Sequence, residues 1–144
     1  EAYREAHRLS PDFYFVPFRV TRAEFDRLTR LSFNGIPAAV RESLGRVTID
    51  VRDTPGEVPA EMGEEALPPL LLGLFIGEQR GDDWSMMGGT AGLYPSRVYL
   101  FQRNIERASP DGPELQRQIE ITLLHEIGHY LGLEEEDLEA RGLD

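Results

Sequence analysis

The chain has 144 residues, no cysteine, 26 acidic and 15 basic residues, and a formal net charge of −11. That length fits one ordinary domain with its own core, and the charge repels a phosphate backbone, which makes nucleic acid a poor candidate partner. Every basic residue is arginine, so lysine Schiff bases and P-loop phosphate binding are excluded; with no thiol, histidine and carboxylate are the only strong metal ligands left.

Glu1 to Leu9 suits a helical arm, and the aromatic run Phe13, Tyr14, Phe15 and Phe18 calls for burial in a satellite cluster. The start lacks the pattern of a signal peptide, which leaves cytoplasmic as the default location. Thr21 and Glu24 form a capping box ahead of Phe25, Leu28 and Leu31, whose spacing predicts an apolar stripe on a first core helix. Pro37 and Gly45 bound a second, shorter helix. Val47, Ile49 and Val51 alternate with Thr48, Asp50 and Arg52 as a half-buried strand.

The stretch from Asp53 to Pro69 is rich in proline, glycine and glutamate and reads as a surface loop. Leu70 to Ile76 follows as a more fully buried strand. It is the longest apolar run, too short to span a bilayer, so a soluble protein with no membrane partner is expected. Between Gly77 and Pro95 a glycine-rich loop carries Trp84, Met86 and Met87, which either line a substrate cleft or fill core gaps. Ser96 to Gln102 predicts a third strand whose alternating residues serve two faces.

Asp111 as cap, Pro113 in the first turn and Glu114 at capping-box distance start a long helix that runs to about Leu131. Its stripe of Ile119, Leu123, Leu124, Ile127 and Leu131 faces the sheet, Gly132 ends it, and a last short helix covers Glu135 to Arg141.

Within the long helix stands His125, Glu126, Ile127, Gly128, His129, the HExxH pattern of zinc hydrolases. Residues four apart share a helix face, so two imidazoles can converge on one ion. Glu126, one step round the turn, can take a proton from water whose pKa zinc lowers to roughly 7, then return it to a leaving nitrogen. A catalytic zinc site needs a third protein ligand. The longer pattern HExxHxxGxxE offers Glu135 beyond the turn at Gly132, with Glu134 and Asp137 as competitors and Glu136 facing solvent.

Gly128 costs the helix about 1 kcal/mol relative to alanine, which close packing against its backbone would explain. His7 lies in the arm and reads as a surface residue. Tyr94, Tyr99 and Tyr130 could each donate to an oxyanion, and nothing in the sequence selects one.

The run from Ile121 to Gly142, ITLLHEIGHYLGLEEEDLEARG, resembles the signature of the small bacterial zincin-like metallopeptidases. With the capped helix at Thr21, the strand at Val47 to Val51, LLGLFIG and PSRVYLFQRNI, the resemblance covers Arg19 to Asp144 and leaves residues 1–18 as a separate arm. It implies an α/β (α+β) single domain with a short mixed sheet packed on the active-site helix. It also implies a metal held by His125, His129 and an acidic residue at 135. Aspartate or histidine often stands at that last offset. The Met-turn of metzincins is missing, because Met62, Met86 and Met87 all precede the motif.

The expected function is zinc-dependent hydrolysis of peptide bonds, with extended peptides pairing along the strand Ser96 to Gln102. The rival is a non-catalytic module that keeps the motif and binds a protein partner through its acidic surface; a non-peptide amidohydrolase would share the chemistry. Oligomeric state is not legible in the sequence.

Overall fold

The computed structural model describes residues 1–13, 15–44, 47–58, 67–77 and 97–130. Helix α1 spans Ala2–Leu9, α2 Arg22–Asn34, α3 Ala38–Leu44, α4 Gln102–Arg107 and α5 Gly112–Tyr130, with strands β1 Thr48–Arg52, β2 Gly73–Ile76 and β3 Arg97–Phe101. The sheet order is β1-β3-β2; β1 runs parallel to β3 and β2 antiparallel to it, giving the expected α+β fold with a short mixed sheet. The helix expected over Glu135 to Arg141 and the loop with Trp84, Met86 and Met87 lie outside the described residues.

Capping explains where the two main helices begin. Thr21 Oγ1 accepts from the Glu24 N–H at 3.1 Å, and Asp111 Oδ1 accepts from the Glu114 N–H at 2.8 Å, each satisfying a donor that the first turn leaves unpaired. On α5, Leu115, Ile119, Leu123 and Ile127 recur every fourth residue and are buried against Val98 and Leu100 of β3 and Phe25 and Leu28 of α2.

The stripe on α2 differs from the expected one, because Leu31 is 48% exposed while Thr29 and Ser32 are buried. At 3.6 residues per turn Leu31 lies about 120° round from Phe25, whereas Leu28, Thr29 and Ser32 fall within about 60° of it. The three-residue spacing drifts off the buried face.

The strand expected from Leu70 begins only at Gly73: Leu71 closes a turn onto Pro68, and Leu70 is 64% exposed. Asn104 Nδ2 donates to the carbonyls of Pro69 and Leu71 at 2.9 and 2.8 Å, anchoring the chain as it enters β2. Gln102 is not the end of a strand but the start of α4, a helix too short to show a period. Its buried amide accepts from Arg22 Nε at 2.7 Å and donates to the Val20 carbonyl at 3.1 Å.

The interior position of β3 overturns one expectation. It has a neighbour on both sides, and Val98 to Phe101 are fully buried, so no edge remains for an added peptide. Phe13, Phe15 and Phe18 of the arm are not buried either. Helix α1 contributes no buried residue to roof them, and Phe13 is 86% exposed. No helix among the described residues is long and apolar enough to cross a membrane.

Candidate metal centre

Helix α5 carries the site in its last turns. Ile127 fills the core and fixes the rotation of the helix, which leaves His125, Glu126 and His129 half-buried at the border of the packed face. The two imidazoles converge: Nε2 of His125 and Nε2 of His129 are 2.9 Å apart, with ring centroids at 4.6 Å and planes inclined by 66°.

Two lone pairs facing each other at that distance repel. Either one ring donates its N–H to the other or a cation stands between them. A pair of ring nitrogens, each able to stand about 2.0–2.1 Å from one point, fits a zinc ion. Among the described residues no group of three histidine, aspartate or glutamate side chains could hold a metal, so the pair supplies two donors. Glu135, Glu134, Asp137 and Glu136 lie outside the described residues.

Glu126 points from α5 toward β2, where its carboxylate takes a hydrogen bond from the backbone of Phe75. Burial pushes its carboxyl above the ordinary glutamate range; His129, His125 and the Phe75 N–H pull the other way without cancelling it. The register explains why that N–H is available. Phe101 N donates to Leu72 O at 2.9 Å, so in this antiparallel ladder Leu72 and Leu74 face β3 with their backbone groups, and Gly73 and Phe75 direct theirs away from it.

Glycine at 73 is the other half of the contact. A β-carbon there would come within 2.8 Å of Thr122 Cγ2 and 3.1 Å of Glu126 Cγ, so β2 and α5 meet at backbone range beside the glutamate. Gly73, Phe75 and Thr122 were not among the site residues expected from sequence. The one available signal was an isolated glycine inside an apolar strand, which marks a close approach.

Of the candidate oxyanion donors, Tyr99 is fully buried in β3, on the sheet face opposite Val98 and Leu100, and its hydroxyl is hydrogen-bonded by Arg97. Alternation thus directs it away from α5. Tyr94 lies outside the described residues. A cavity of about 560 Å³ between α2 and β1, lined by Arg22, Asp26, Arg30, Phe33 and Ile49 among others, contains none of the motif residues.

A half-buried carboxyl beside two converging imidazoles, on a helix under a mixed sheet, is the arrangement of a zincin-type hydrolase. The chain belongs to the zincin-like metallopeptidase family, whose sequence model matches residues 44–143. That match takes in β1, all of α5 and the extended motif, while α1 and α2 precede it. No individual curated protein matches the chain.

Proposed function

We propose that this protein is a zinc-dependent peptidase in which His125, His129 and Glu135 hold the metal and Glu126 is the general base and acid. The observation that carries the reading is the 2.9 Å convergence of the two imidazole nitrogens next to a carboxyl that burial has made more basic. Bound there, zinc supplies Lewis acidity, polarising a carbonyl and acidifying water.

The remaining work falls to the chain. The Glu126 carboxylate accepts a proton from the water that attacks the scissile carbonyl carbon, and a new C–O bond forms as that proton leaves. The same carboxyl then donates the proton to the nitrogen as the C–N bond breaks, releasing an amine and a carboxylic acid. A carboxyl held above its usual pKa makes a stronger base when ionised and still a competent acid once loaded.

Extended peptide is the substrate class we favour. The support for it is β2, which among the described residues pairs on one side only and passes beside Glu126. Strand addition at this edge, rather than along β3, would pair through the outward backbone groups of Gly73, the Phe75 N–H being held by Glu126, and would lay a peptide bond over the motif.

The test combines metal analysis of protein purified without added zinc with peptide-library cleavage by wild type and Glu126→Gln. Cleavage by wild type alone, with zinc retained in both, supports the reading. Zinc retention with no cleavage by either protein sinks it and favours the non-catalytic module.

A further inference from the structure

We propose that Gly73 is a positioning residue for Glu126. By lacking a side chain it lets β2 lie close enough to α5 for the Phe75 N–H to seat the Glu126 carboxylate, with the Thr122 methyl as the opposing wall. The catalytic meaning of this seat rests on the peptidase reading above; the seat itself does not.

Space, not backbone conformation, is what calls for glycine at 73. Gly77 is the glycine with positive φ among the described residues, so nothing in the torsions of Gly73 demands it. A β-carbon would instead meet three atoms at once: Thr122 Cγ2 at 2.8 Å, Glu126 Cγ at 3.1 Å and the Tyr99 carbonyl oxygen at 3.1 Å. These come from α5 and from β3, so a shift of β2 that relieves one contact tightens another.

Neither wall gives way cheaply. Thr122 is buried, and its hydroxyl donates to the Gln118 carbonyl at 2.7 Å, which holds the rotamer that turns Cγ2 toward β2. On the strand side, Phe101 N holds Leu72 O and Asn104 holds the carbonyls of Pro69 and Leu71, so β2 is fastened just ahead of Gly73. The Glu126 side chain is the member of the contact with freedom to move. Crowding at Cγ therefore swings its carboxylate off the Phe75 N–H.

That N–H faces away from β3, so its protection from exchange with solvent reports the seat directly. Amide exchange at Phe75, measured on the full chain by nuclear magnetic resonance, is compared with kcat, KM and zinc affinity in wild type, Gly73→Ala, Thr122→Ser and the double variant. Gly73→Ala is expected to speed Phe75 exchange about tenfold and lower kcat about tenfold, with KM and zinc affinity within about twofold. Thr122→Ser removes the methyl wall, keeps the hydroxyl that bonds the Gln118 carbonyl, and supplies the background against which the double variant is read. The double variant recovers a good part of both losses.

Wild-type exchange and kcat in Gly73→Ala, or no recovery in the double variant, overturns the proposal. Should Gly73→Ala fail to fold, Thr122→Ile presses on the same contact from the helix side with Gly73 intact, and an unchanged Phe75 exchange rate there overturns it equally. If wild type cleaves no peptide, the peptidase reading falls, while the exchange rates alone still decide whether Gly73 makes the seat.

Discussion

The two outer strands of the sheet each meet a charged side chain from a neighbouring helix, and the two encounters are settled differently. At β1, Arg22 of α2 donates to the Val51 carbonyl at 2.8 Å, to Gln102 at 2.7 Å and to Asp53 at 2.6 Å, so every arm of the guanidinium has a partner and the charge has a counter-ion. At β2, Glu126 of α5 takes one backbone N–H, is partly stripped of water, and has imidazoles rather than a guanidinium beside it. A fully satisfied charge fastens a structure; one left short of partners keeps its proton affinity open to chemistry.

Glu126→Gln breaks the β2 side of this contrast most severely. Peptide hydrolysis should fall roughly 10²–10⁴-fold while bound zinc, measured by metal analysis, stays as in wild type. On the β1 side, Arg22→Ala should cost about 1–3 kcal/mol in urea unfolding, since it strands the buried Gln102 amide, and should leave zinc affinity unmoved.

Acidity sharpens the comparison further. With its pKa raised, the folded metal-free chain holds the Glu126 proton more tightly than the unfolded chain does. The stability this gives is full below the ordinary carboxylate range and is lost as pH rises through the raised value. Glu126→Gln should therefore lose less melting temperature than wild type as pH rises above the ordinary carboxylate range, and an equal loss would contradict the burial effect. The smallest change belongs to Asp53→Asn. Its ion pair with Arg22 is 43% and 40% exposed, so unfolding should shift by only about 0–1 kcal/mol.

What was legible in the sequence is local. Thr21 with Glu24, and Asp111 with Glu114, announced two helix starts because a cap and the N–H that donates to it lie three residues apart. The facing of His125 and His129 followed from one helical turn. The rest depended on partners distant in the chain. Nothing near Ser96 to Gln102 says that β3 is the middle strand, which follows from β1 and β2 taking its two sides. The rotation of α2 that leaves Leu31 exposed is decided by where α5 crosses α2, and the contact of Gly73 with Thr122 and Glu126 by how β2 docks.

That division has a kinetic side. Turns of α5 close over nearby residues and form fast, whereas β2 finds its place only after β3, which lies beyond the segment 78–96, has come alongside. The imidazole pair therefore exists early in folding and the glutamate is seated late. On the peptidase reading, a half-folded chain that already pairs its imidazoles still lacks the seated glutamate, and so stays harmless to its own exposed backbone.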